Sequence, residues 1–184
     1  MKYSKEFLED FKSGSNKSFN VVFKDFVDPL FQYCYFRLSS KEDAEDLVED
    51  IFTKIFKNMS NFDDSKASLK TWIYTIARNS LIDYVRTKED HNLELTAEVE
   101  DDSLNIDDKT DLKINADTLK FALKNLSEFE KQLVEMRFIS DMSYDEISAV
   151  TGKNSGALRV SLSRTLNKLK HIFIDMGIDE SNIL

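Results

Sequence analysis

Apolar side chains recur at steps of three and four along most of the chain. The clearest run is Ala44, Leu47, Val48, Ile51, Phe52, Ile55, Phe56 and Met59, which predicts an amphipathic helix of about four turns. Ser40 followed by Asp43 supplies its start signal. Upstream, Phe7, Leu8 and Phe11 predict a short helix ending near Gly14. A second helix begins around Lys17 and bends at Pro29, which removes a backbone donor and crowds the preceding turn. Asn58 to Ser68 is expected to be a loop. It leads to a helix over 66–87 with Leu69, Trp72, Ile73, Ile76, Ala77 and Val85 on its apolar side, so Trp72 belongs to the core.

The periodicity then stops. From Lys88 to Asp117 Asp and Glu dominate, which predicts a flexible acidic linker kept extended by self-repulsion. A solvated tether is one reading of it, and a DNA mimic occupying a basic channel in a partner is the other. Helical pattern resumes over 118–176 with two capping boxes, Ser127 with Glu130 and Ser143 with Glu146. Between Ile147 and Leu158, Gly152 and Gly156 interrupt two helices, the outline of a helix-turn-helix. Leu158, Leu162, Leu166, Leu169 and Phe173 mark the buried stripe of the final helix, and 177–184 form a tail. The fold class expected is all-α: two small helical domains, 1–87 and 118–176, joined by the acidic linker 88–117.

Composition agrees with this picture. Four Gly and one Pro leave little material for hairpin turns. Cys34, the single cysteine, excludes an intrachain disulfide and lies in an apolar run as a buried thiol. The opening MKYSKEFLEDF has no apolar stretch to act as a signal peptide and no later stretch could span a bilayer, so a cytoplasmic location is expected. The net charge of −9 discourages a nucleic-acid partner until it is divided along the chain. Residues 1–87 carry 14 acids and 13 bases, 88–117 carry 11 acids and 3 bases, and 118–176 carry 7 acids and 9 bases. Most of the negative charge sits in the linker.

Three surfaces then carry candidate chemistry. From Lys153 to Lys170 the final helix has five bases and no acid. Opposite its apolar stripe it sets Ala157, Val160, Ser163, Arg164 and Asn167, flanked by Arg159, Ser161 and Lys168. A basic outer face, small polar residues near the start and free amides at the helix end suit the major groove. The plainer alternative is a solvated basic face. Glu42, Asp43, Asp46, Glu49 and Asp50 share one side of the 44–59 helix, an acidic face that suits a basic protein partner, with a merely soluble face as the alternative. The 66–87 helix holds Lys66, Lys70, Arg78 and Arg86 with Trp72, Tyr74 and Tyr84, a surface able to hold a single strand by phosphate contact and stacking. A phosphate-binding Gly loop and a nucleophile–base pair are both missing, and His91 and His171 have no ligand-like spacing. Neither catalysis, nor a metal, nor a cofactor, nor a small-molecule substrate is therefore expected.

The stretches Asp43 to Asp63 and Ser68 to Arg86 resemble region 2 of sigma-70-type factors, and Ala122 to Lys170 resembles region 4. Ser13 to Leu38 is similar to the usual lead-in. The extra regions of primary sigma factors are not evident, which points to the extracytoplasmic-function (ECF) group. The resemblance implies a subunit that binds core RNA polymerase and directs promoter recognition, DNA melting and transcription initiation. It implies that Asp43, Asp46, Glu49 and Asp50 grip the clamp helices of the polymerase β′ subunit. Phe62, Asp63, Ser65 and Lys66 fall in the family's pocket for a base flipped out of the −10 element, with Lys70, Arg78, Asn79 and Arg86 holding backbone or neighbouring bases.

For the −35 element the resemblance implies Lys153, Asn154, Ser155, Ala157, Arg159, Val160, Ser161, Ser163, Arg164 and Lys168, while the early helices of region 4 touch the β flap. An anti-sigma factor is a further partner that the family implies. One departure stands out: family members often carry Ser-Arg where this chain has Val160 and Ser161. That leaves fewer phosphate anchors, and a modest −35 affinity or an unusual base preference is expected. A stand-alone helix-turn-helix regulator accounts for 118–176 equally well, but leaves the acidic face and the 66–87 helix without a task.

Overall fold

The computed structural model describes residues 3–92 and 121–178. The described chain is helical, with no strand among these residues: α1 (Lys5–Lys12), α2 (Asn16–Leu38), α3 (Lys41–Asn58), α4 (Leu69–Asn92), α5 (Glu128–Val134), α6 (Tyr144–Thr151) and α7 (Ser155–Asp175). It divides into two compact units: the first holds α1–α4 and also residues 149–152, and the second holds α5, the rest of α6 and α7. The acidic linker expected at 88–117 lies mostly outside the described residues. At its start α4 runs on to Asn92, past the expected boundary at Thr87. The tail at 177–184 likewise lies almost wholly outside them.

Local chemistry starts and stops the helices of the first unit. Ser4 caps α1 through the Phe7 N–H, Ser40 caps α3 through the Asp43 N–H, and Ser68 caps α4 through the Thr71 N–H. α2 continues through Pro29 as one helix of 23 residues. It ends at Ser39, in the left-handed region at φ 55, whose N–H bonds the Tyr35 carbonyl at 2.9 Å. The chain turns there and enters α3 at once.

The core of this unit collects Phe11, Val22, Leu30, Tyr33, Cys34, Ile51, Ile55, Ile73 and Leu81, all buried, with Cys34 the buried thiol expected, in no disulfide. Each such Leu or Ile contributes about 1.5–3 kcal/mol of transfer free energy. One member of the expected α3 stripe departs from it. Phe56 is 46% exposed, because its position is turned toward solvent at the edge of the apolar arc, where it meets Phe19 edge-on.

In the second unit both expected capping boxes form. Ser127 and Glu130 bond each other's backbone N–H at the start of α5. Ser143 and Glu146 do the same at the start of α6. A π turn, Glu135–Ile139, continues α5. Gly152, at φ +71 with open space where a Cβ would sit, ends α6 by conformation alone. Gly156, expected in the turn, lies inside the first turn of α7, since Asn154 caps the helix and moves its start to Ser155. The buried stripe of α7 is Leu158, Leu162, Thr165, Leu169 and Phe173. Leu166 is instead 40% exposed, since the 3.6-residue period carries it to the stripe's edge and places Thr165 inside.

Candidate nucleic-acid and protein interfaces

On α3 the acidic residues fall into two groups. Asp46, Glu49 and Asp50 are exposed on the side away from the core. Asp50 meets Lys54 at 2.6 Å, and Lys54 also donates to the Ser80 hydroxyl at 2.9 Å, so one base ties this face to α4. Asp43 is different. It is half-buried and accepts hydrogen bonds from the Tyr84 hydroxyl, at 2.7 Å, and from Lys88. Burial raises its pKa, but the bonds from Lys88, Tyr84 and Ser40 more than offset that and hold the carboxyl below its ordinary value. Asp43 therefore latches the start of α3 to the far part of α4, in addition to the docking role expected of it.

The 59–68 segment is a 3-10 turn (Met59–Asn61) followed by a loop. Phe62 is one of the residues expected in the flipped-base pocket. It is 3% exposed, packed against Phe11 and Trp72, because an aromatic ring at the base of the loop gains more from the core than from water. Asp63, Ser65 and Lys66 are brought together at the surface. The Asp63 carboxylate accepts from the Ser65 hydroxyl at 2.6 Å and N–H at 3.0 Å, and pairs with Lys66 at 3.1 Å. The Ser65 hydroxyl and Lys66 bring its pKa down to about 2.

On α4 the aromatic rings lie at different depths. Tyr74 is buried against Tyr33 and Phe26, Trp72 is half-buried on Phe11 and Phe62, and Tyr84 serves Asp43. What α4 presents is polar: exposed Asn79, and exposed Arg86 paired with Asp83 at 3.2 Å. Lys70 and Arg78 are half-buried, and the Arg78 Nε is buried without a hydrogen-bond partner among the described residues. A buried donor of that kind costs free energy until an acceptor reaches it.

On α7, Ala157, Arg159, Val160, Ser163, Arg164 and Lys168 are exposed, and Ser155 and Ser161 are half-buried. Asn154 is exposed, yet its side-chain oxygen is used by the N–H groups of Gly156 and Ala157 at 2.9 and 3.4 Å. Val160 is 51% exposed in the middle of the polar face, an apolar side chain that has no use in water. Three cations have partners that the sequence did not announce. Lys153 lies over the Phe129 ring, Lys168 pairs with Glu130 at 3.1 Å, and Arg159 approaches the Tyr144 ring at 5.0 Å. Arg137 approaches the same ring at 5.5 Å and donates to the Met142 carbonyl at 3.0 Å. Arg137 and Tyr144 were missed because the approach of both arginines to the Tyr144 ring depends on how three separate elements pack.

Among the described residues no cluster of His, Cys, Asp and Glu can hold a metal ion, and no helix is long and apolar enough to cross a membrane.

The family description "Sigma-70 region 2" matches residues 22–90, and "Sigma-70, region 4" matches residues 117–169. The chain is 25% identical over 174 residues to the ECF RNA polymerase sigma factor BldN of Streptomyces coelicolor, covering 92% of this chain and 66% of that protein. It is 23% identical over 184 residues to the ECF RNA polymerase sigma factor SigW of Bacillus subtilis, covering 94% and 97%. Among solved structures, the fold is similar to the sigma factor RpoE of Bartonella quintana in complex with the anti-sigma factor NepR. That likeness has a TM-score of 0.73 at 23% identity and covers 85% of this chain and 97% of that one. CnrH in complex with the cytosolic domain of CnrY gives a TM-score of 0.69 at 19% identity, covering 92% and 96%.

Proposed function

The chain belongs to the sigma-70 family of RNA polymerase sigma factors, and from that premise we propose how an ECF-type sigma factor divides its work among these surfaces. Asp46, Glu49 and Asp50 dock on the basic β′ clamp helices of core polymerase. Asp63, Ser65 and Lys66, with Lys70, Arg78, Asn79 and Arg86, hold the opened −10 strand, and the orphaned Arg78 Nε gains an acceptor there. α7 enters the major groove of the −35 element, with Arg159, Arg164, Ser163 and Val160 outermost and Lys153, Asn154, Ser155, Ala157, Ser161 and Lys168 around them. Asn154 contributes through the helix cap it makes. Exposed Val160 suits a thymine methyl better than a phosphate.

The observation that carries this reading is the division of charge between units. An exposed acidic row stands on α3 in one, and an acid-free basic stretch from Lys153 to Lys170 stands on α7 in the other. A protein partner and a DNA partner are thereby kept on separate surfaces. The working compartment is the cytoplasm, where polymerase and promoter meet, and an anti-sigma factor is a further partner. The role is that of an initiation factor; no catalytic step is assigned to it.

The test is binding to purified core polymerase. Asp46→Lys with Glu49→Lys is expected to weaken holoenzyme formation at least tenfold while thermal unfolding stays within a few degrees. Unchanged core affinity in that folded variant contradicts the docking role.

A further inference from the structure

The stretch that matches sigma-70 region 2 begins at residue 22, so α1 lies before it. α1 nevertheless holds the 62–68 loop at two levels. At the base, fully buried Phe11 meets Phe62 edge-on at 6.3 Å and Trp72 at 6.2 Å, while Phe62 and Trp72 lie 5.4 Å apart. These rings join α1, the root of the loop and the first turn of α4. Above them Lys12 Nζ meets the Asp64 carboxylate at 2.7 Å, with both side chains about one-third exposed. Gly14, at φ +87, turns the chain away two residues after Lys12, so that Lys12 ends its helix beside the loop.

The loop carries two adjacent carboxylates. Asp63 is satisfied from inside the loop, by Ser65 and Lys66. Asp64 is paired from outside it, by Lys12, 52 residues away. The hydrogen bond from Lys12 holds the Asp64 carboxyl below its ordinary value, and the same bond holds the Lys12 ammonium above its own. A surface that takes in a polyanion is opposed by every uncompensated carboxylate on it, and the opposition is strongest at low salt. Without Lys12, residues 62–68 carry two acids against the one base, Lys66.

We propose that Lys12 is a positioning residue for promoter binding: it neutralises Asp64 and pins that carboxylate against α1, so the loop meets the −10 strand without net negative charge. The inference rests on the reading of the loop given above. It adds α1 to the DNA-reading apparatus without giving Lys12 a DNA contact of its own.

The experiment is a double-mutant cycle on holoenzyme with full-length chain. The probe is fork-junction DNA carrying the single-stranded −10 sequence of a promoter mapped by run-off transcription, measured against a scrambled fork at several salt concentrations. Lys12→Gln is expected to lower affinity for the −10 fork about five- to tenfold at low salt, with the deficit shrinking as salt rises. Asp64→Asn alone is expected to stay within about twofold of wild type, and Lys12→Gln with Asp64→Asn to return to that level. Core binding and melting temperature of each variant serve as the controls for folding.

A role confined to stability predicts that Asp64→Asn restores nothing and that salt leaves the deficit unchanged. That outcome overturns the proposal, as does wild-type affinity in Lys12→Gln while the sequence preference of the loop persists. A wild-type holoenzyme that does not distinguish the −10 fork from the scrambled one overturns the loop reading itself, and this inference with it.

Discussion

Asp43 and Asp46 are three residues apart on one acidic helix side, and the structure gives them different surroundings. In the sequence both are carboxylates opposite an apolar stripe. In the fold, Asp46 is exposed, while Asp43 meets a tyrosine 41 residues away and a lysine 45 residues away. That distinction was not legible beforehand, since it depends on α4 lying alongside α3. Its consequence is a pH-dependent contribution to stability. The folded-state pKa of Asp43 is depressed, so the latch contributes fully above the ordinary carboxylate range, about pH 4, and is lost as pH falls through the lower folded value. Tyr84 is shifted the opposite way: burial, then the bond to Asp43, raise its pKa. Its contribution therefore stands below pH 10 and fades as pH rises past that. Tyr84→Phe is expected to cost about 1 kcal/mol at pH 7. In urea unfolding the difference from wild type should narrow as pH falls below the ordinary carboxylate range and Asp43 protonates, and a difference that stays unchanged there contradicts the assignment.

Helices were the most legible part of this chain, because their evidence is local. The 3–4 spacing in α3, the serine caps and the two capping boxes each sit within a few residues of what they predict. Errors arose where a residue's fate depends on a second element. Tyr74 read as a surface aromatic on a basic segment, yet it packs against a ring of α2. Phe56 and Leu166 read as core because they continue a pattern, yet each lies at the edge of the arc that its partner helix covers. The α7 start shows how a small local bond matters at this scale. Asn154 satisfies two N–H groups at the end of the helix expected to enter DNA. Asn154→Ala is expected to destabilise the second unit by about 1 kcal/mol and to weaken −35 binding several-fold. Chemical denaturation beside DNA-binding titrations measures both. A loss of DNA affinity with no loss of stability points to a direct base contact by Asn154 in place of the cap.

At the scale of the molecule, an acidic chain with net charge −9 carries a DNA-binding surface because its charge is partitioned. Both sigma-70 regions were legible in the sequence, in order and with an acidic stretch between them. Which side chains remain free to meet polymerase or DNA was not, since Phe62, Asp43 and Asn154 each serve the fold first. The central claim is that two unlike DNA elements are read by two units while an acidic face holds polymerase. Run-off transcription with purified core polymerase, the full chain and fragmented genomic DNA tests it most directly. Chain-dependent transcripts starting downstream of a shared two-part motif at fixed separation are the predicted result. Folded protein that yields no chain-dependent initiation, or that selects a single palindrome in place of two unlike elements, contradicts it.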